Sequence, residues 1–285
     1  MTHTALLTML ALMLIPALPA MAHADDAQQA AARMAQEHQH DKPVATPAAT
    51  QEPSHPVIAS EVTYGDEEGK PIHGYLATPK PAKDGLPGLV VIHEWWGLND
   101  NVRAMTRRLA GEGYQALAVD LYGGATADTP DAATKLMNGV MANHASAEAN
   151  LKAAVEYFKA KGVKKIGVIG WCFGGGWSLN TSLQSPGDIK ATVIYYGHLE
   201  TDPAKLAALK SPVIGFFGAA DNSIPPASVH AFEDELKKEG KPVEVHIYDG
   251  AGHAFANASG GNYKPEAAKD AWQRTTVFLA KYLKG

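Results

Sequence analysis

The chain has 285 residues, of which 46% are hydrophobic and 19% charged, and a net charge of −5. That is ordinary globular composition, and the negative balance leaves no basic footprint for nucleic acid. A single cysteine excludes an internal disulfide and any metal site built from several cysteines.

Residues 1–24 read as a secretory signal. The run 5–15 is apolar apart from Thr8, Pro16 and Pro19 follow it, and Ala20-Met21-Ala22 and Ala22-His23-Ala24 offer small-residue cleavage sites. No Lys or Arg precedes the run, and it is too short for a permanent span. The expected location is therefore the periplasm or the outside of the cell, without stable membrane insertion. Residues 25–56 are rich in Ala, Gln, Pro and His and carry no sustained apolar periodicity. They are expected to form a mobile linker, with a frayed helix near 27–37. His38, His40 and Asp41 could touch a metal, but no second cluster completes a site. Solvated linker polarity is the expected role, and no metal is expected.

A folded domain is expected over 57–285. Residues 57–64 and 72–78 look like an antiparallel hairpin turning at 65–69. Leu89 to Ile92 is a short apolar run of the buried-strand kind, ending in His93-Glu94-Trp95-Trp96-Gly97. A helix pattern covers 102–111, and a strand at 116–120 ends in Asp120-Leu121-Tyr122. Helical signals run from 130 to 161. A strand at 165–169, a glycine-rich turn and a helix pattern at 176–184 come next. Strands are expected at 191–196, 213–217 and 243–248, with helices at 227–239 and 264–283. Strands alternating with helices argue for an α/β fold, a mostly parallel central sheet with helices on both faces and the antiparallel hairpin at its start. In such sheets chemistry sits at the carboxyl ends of the strands.

Gly170-Trp171-Cys172-Phe173-Gly174-Gly175 lies between a strand and a helix, the context of a nucleophile elbow. The free N–H groups and positive end of the following helix would help form the Cys172 thiolate. Asp221 follows the strand at 213–217, and His253 follows the last strand. Nucleophile, acid, histidine is the chain order of α/β-hydrolases. His253 would take the thiol proton and return it to the leaving group, and Asp221 would fix its tautomer. Glu94, at another strand end, would tune the thiol, or could be a solvated loop carboxylate. The N–H groups of Trp95 and Phe173 would form the oxyanion hole. Trp96, Tyr122 and Phe255, with Trp95, could wall an apolar pocket, or could be core.

These motifs, with Tyr195-Tyr196-Gly197, Ile224-Pro225 and Gly252-His253-Ala254-Phe255, resemble the dienelactone hydrolase family, the carboxymethylenebutenolidases, a branch of the α/β-hydrolases. The resemblance covers about 57–283. It implies a monomeric hydrolase that opens small-molecule esters or lactones through a thioester on Cys172, with no cofactor. It also implies that Glu94 interacts with the resting thiol. Two positions depart from the family pattern. Arginines that hold a substrate carboxylate would fall at Gly124 and Asn257, and neither residue supplies a cation. A substrate other than the dienelactone is expected, unless Lys264 or Arg103 substitutes. Two further readings of the chain stay open at this point. The triad could serve acyl transfer or peptidase-like chemistry, or the site could be silent on a binding protein.

Overall fold

The computed structural model describes residues 34–285 except 42, 44, 48 and 82. The expected secretory signal lies outside the described residues. No helix among the described residues is long and apolar enough to cross a membrane.

β1 (Val57–Glu67) and β2 (Lys70–Pro79) form the antiparallel hairpin. Both strands run further than their sequence pattern suggested, because the reversal is made by Glu68 and Gly69 alone, at φ 53° and 81°. Asp66 accepts a hydrogen bond from the Gly69 N–H at 2.7 Å and closes that turn. β3 (Gly88–Ile92), β4 (Gln115–Val119), β5 (Ile166–Trp171), β6 (Ile189–Tyr195), β7 (Val213–Gly218) and β8 (Val243–Tyr248) complete one sheet. Its order is β1-β2-β4-β3-β5-β6-β7-β8. β2 meets β4 antiparallel, and every pairing from β4 to β8 is parallel. β3, β5 and β7 are buried along their whole length, which is why they read as unbroken apolar runs.

Helices cover both faces. α1 (Asp100–Gly111) is capped by Asn99, whose side chain accepts from the Val102 N–H. The helical stretch from 130 divides at Asn143 into α2 (Pro130–Ala142) and α3 (His144–Ala160). α4 (Phe173–Gln184) begins directly after Cys172. α5 (Pro203–Leu206) is a single turn, α6 is Pro226–Lys238 and α7 is Pro265–Leu283. Arg108 of α1 stacks over Trp272 of α7, 4.1 Å from the ring centre, so these two helices share one face. Glu148 of α3 accepts from Asn180 and Gln184 of α4 on the other.

The stretch expected to be a mobile linker lies against the domain where it is described. Pro53 packs so closely on α1 that a side chain at Gly111 would come within 2.8 Å of it. Thr46 donates to the Ala258 carbonyl at 3.1 Å. His38 and Asp41, expected in solvent, have side-chain exposures of 0% and 2%. Their burial comes from each other and from Trp95, whose ring centre is 4.6 Å from that of His38. Composition gave no warning, because these contacts are tertiary and need no apolar period.

Candidate active site

The carboxyl ends of β3, β5, β7 and β8 bring Glu94, Cys172, Asp221 and His253 to one end of the sheet. Cys172 closes β5 and caps α4 with φ 55° and ψ −119°, a left-handed-side conformation that a cysteine seldom adopts. Its N–H donates to the Tyr195 carbonyl at 2.9 Å, which ties the turn to β6. The neighbouring glycines are required by close approach. A Cβ on Gly170 would lie 2.1 Å from the Gly174 carbonyl oxygen, and one on Gly174 would lie 2.4 Å from the Ile92 carbonyl oxygen.

Asp221 uses its two oxygens differently. Oδ1 accepts from the N–H groups of Ser223 and Ile224, each at 2.8 Å, and holds the loop after β7. Oδ2 meets His253 Nδ1 at 2.8 Å. The His253 ring is fully buried, and its Nε2 has no hydrogen-bond partner among the described residues. An imidazole nitrogen of His253, one of His38 and Cys172 Sγ all lie within 4.8 Å of one another.

The electrostatics favour a thiolate beside imidazolium. Burial by itself raises the Cys172 thiol, but the nearby imidazoles of His253 and His38 outweigh it and bring the thiol down to about 6. Burial lowers His253, yet the Cys172 charge and the bond to Asp221 carry it well above its usual value. Burial pushes Glu94 up to about 8, and the Cys172 charge adds to that against the cations of His38 and His253. The carboxyl is therefore largely protonated at neutral pH.

Glu94 is not bonded to Cys172. It accepts from Asn257 Nδ2 at 2.9 Å and from the Tyr196 hydroxyl at 3.3 Å. The N–H groups of Trp95 and Phe173 donate to nothing among the described residues, which leaves both free for a ligand. Of the expected pocket walls, Trp96 and Phe255 are fully buried core. Tyr122 has a positioning contact, its hydroxyl donating to the Trp95 carbonyl at 3.1 Å. The Asp120-Leu121-Tyr122 motif thus fixes the loop after β3. The Leu121 N–H donates to His93 Nε2 at 3.1 Å, and Asp120 accepts from the N–H groups of Tyr122 and Gly124.

A cavity of about 440 Å³ opens beside Glu94, Tyr196 and Asn257 and reaches Arg108 and Trp272. Arg108 is the cation that sequence reasoning missed. Arg103 instead reaches from α1 to pair with Glu61 of β1, and Lys264 is exposed at the start of α7. The signal for Arg108 was faint, because it lies on the same helix as Arg103 and Arg107 and only the packing separates them.

Sequence reasoning also missed the cover over the site. A helical turn at 34–37 and the residues to 41 lie directly above the thiol. Met34 Sδ is 3.5 Å and His38 Nε2 3.7 Å from Cys172 Sγ. Asp41 Oδ1 accepts from the Gly261 N–H at 2.9 Å, and Asn262 donates to the Glu37 carbonyl at 3.3 Å. Cys172 is left 2% exposed.

The profile of the dienelactone hydrolase family matches residues 72–283. The chain belongs to the dienelactone hydrolase family. It is a carboxylic ester or lactone hydrolase by that membership, on the α/β-hydrolase fold. Protein usf of Aquifex pyrophilus is 36% identical over 226 residues, covering 76% of this chain and 96% of that one. A proposed carboxymethylenebutenolidase of Saccharolobus solfataricus is 32% identical over 264 residues, covering 80% and 100%. The crystal structure of a proposed dienelactone hydrolase from Klebsiella pneumoniae superposes with a TM-score of 0.71 at 29% identity, covering 80% of this chain and all of that one. The family profile begins beyond residues 34–41, so the cover over Cys172 lies outside the part of the chain that it matches.

Proposed function

We propose that this dienelactone hydrolase family member cleaves neutral carboxylic esters or lactones through a thioester on Cys172. The observation that carries the reading is the convergence of Cys172 Sγ, at the mouth of α4, with a His253 ring whose Nδ1 is held by Asp221 and whose Nε2 is unpartnered. The Cys172 thiolate attacks the acyl carbon, and the carbonyl oxygen becomes an oxyanion held by the N–H groups of Trp95 and Phe173. The C–O bond then breaks, and the His253 imidazolium gives its proton to the departing alkoxide. Water next loses a proton to His253 and attacks the thioester, and the thiolate leaves. Asp221 stabilises the imidazolium at each stage. Glu94, largely protonated, adds no second negative charge beside the thiolate.

A neutral substrate is favoured because neither expected arginine position offers a cation. The Gly124 N–H is taken by Asp120, and the Asn257 side chain by Glu94. Substrate reaches Cys172 when the cover at 34–41 moves aside. The test is turnover of a panel of neutral and anionic activated esters and lactones by the wild type and by Cys172→Ala. Turnover that is highest on neutral substrates and absent from the variant supports the reading. Equal turnover by the variant refutes the thioester route, and preference for anionic lactones refutes the substrate class and directs attention to Arg108.

A further inference from the structure

The site contains more donor atoms than acyl transfer requires. Cys172 Sγ has His38 Nε2 at 3.7 Å and Met34 Sδ at 3.5 Å, and His38, Cys172 and His253 offer ligand atoms that lie within 4.8 Å of one another. A tetrahedral ion with bonds of roughly 2.0–2.3 Å sets its nitrogen and sulfur ligands about 3.3–3.8 Å apart. The Sγ–Nε2 and Sγ–Sδ separations already fall in that interval.

Both imidazoles are prepared in the same way. His253 Nδ1 is held by Asp221 at 2.8 Å, and His38 Nδ1 by Asp41 at 2.5 Å. Each ring is thereby oriented with Nε2 as its free donor. A carboxylate behind the imidazole is the usual second partner of a metal-bound histidine. His253 Nε2 is buried and has no partner among the described residues, so the ring keeps an unmet ligand atom beside the thiol. Met34 and His38 stand four residues apart on one helical turn, so a single element delivers both to the same sulfur.

We propose that Met34, His38, Cys172 and His253 form a binding site for one thiophilic transition-metal ion, copper first. Thiolate, thioether and two imidazoles are a soft donor set, and two histidines with a cysteine and a weakly held methionine suit copper in particular. The ion bonds to the thiolate and to both Nε2 atoms, no electron is transferred, and any protons on the rings pass to solvent. This departs from the sequence expectation of no metal, which could not foresee that residue 38 meets residue 172. It stands on the geometry alone and does not depend on the hydrolytic reading.

The test is titration of the full chain with Cu(I) held against a chromogenic cuprous chelator, for wild type, His38→Gln, Cys172→Ala and Met34→Leu. Thermal unfolding without metal verifies that each variant is folded. Wild type is expected to bind one ion. His38→Gln is expected to weaken binding at least tenfold, as is Cys172→Ala. X-ray absorption of the copper-loaded protein should show two sulfur and two nitrogen neighbours, with one sulfur lost in Met34→Leu. Equal affinity in wild type and folded His38→Gln overturns the proposal, as does an absence of binding by wild type. Ester turnover of the metal-free protein is read separately. Failure of the metal site would leave that turnover unaffected, and failure of turnover would leave the binding curve standing.

Discussion

Asn257 donates to the Glu94 carboxyl at 2.9 Å, across 163 residues of sequence, and so places an amide where the family pattern leads to an arginine. The amide gives Glu94 a partner without adding charge to the site. In Asn257→Ala a buried carboxyl oxygen loses its donor, which costs about 1–3 kcal/mol. A lowered denaturant midpoint with an unchanged slope is the expected result. An unchanged midpoint would show that water replaces the amide without loss.

Glu94 also makes stability depend on pH. Its carboxyl rises from 4.5 to about 8, first through burial and then through the Cys172 charge. Between those values the unfolded chain has released a proton that the folded chain keeps. Stability contributed by this group is thus full below about 4.5 and declines up to about 8. The decline is at most about 1.4 kcal/mol per pH unit. His38, Cys172 and His253 titrate in the same site, so the useful quantity is the difference between wild type and Glu94→Gln. That difference should fall over this window in urea unfolding series. A flat difference would mean that Glu94 is ionised in the folded protein.

The thiol should react as a thiolate at a pH where ordinary cysteines do not. Iodoacetamide modification of Cys172 is expected to rise with a midpoint at about 6, since His253 and His38 overcome the opposing effect of burial. In His253→Ala the stronger of these influences is gone and the midpoint should move upward. A midpoint near 9 in the wild type would refute the ion pair.

Asp221→Asn separates two roles within one side chain. Asparagine can still accept from Ser223 and Ile224 through its oxygen, so the loop and the melting temperature should change little. Its NH₂ would face His253 Nδ1, where a donor favours the wrong tautomer. Ester turnover should fall by about 10³–10⁴-fold with KM nearly constant. A loss below tenfold would remove Asp221 from the proposed mechanism.

Deletion of residues 1–50 takes away the cover and leaves Pro53 and His55 in place against α1. At pH 8, modification of Cys172 should be at least tenfold faster than in the full chain, and bulky esters should gain more than small ones. Because His38 is removed as well, the midpoint should lie above that of the full chain. Equal rates at pH 8 would show that the cover is open in solution.

The eight strands were legible because burial on both faces of β3, β5 and β7 leaves unbroken apolar runs that stand out against the helices. Cys172 and Asp221 stood out as candidates because each follows such a run, and His253 because it follows the partly buried β8. What escaped the sequence has other physical origins. The break at Asn143 has no side-chain cap to announce it. α5 was passed over, although Asp202 caps it and Pro203 opens it, because one turn carries no periodicity. Tyr122 and Phe255 belong to motifs that could equally have lined a pocket, and only the contacts distinguish a holder of the Trp95 peptide from core packing. His38 reaches the site through a stretch with no apolar pattern, held by hydrogen bonds to Asp41, Gly261 and Asn262 that are invisible until the chain is folded.

The positive φ of Cys172 sets the most reactive residue at odds with the backbone that carries it. A non-glycine side chain in such a conformation costs on the order of 1–3 kcal/mol. Glycine at 172 would relax that turn and, on the proposed thioester route, abolish turnover. The folded state would gain by giving up its only sulfhydryl, so reactivity and durability compete at a single torsion angle. Thermostable variants recovered by selection for melting temperature alone should therefore accumulate losses at the elbow, whereas those recovered with turnover as a second criterion should gain their stability elsewhere.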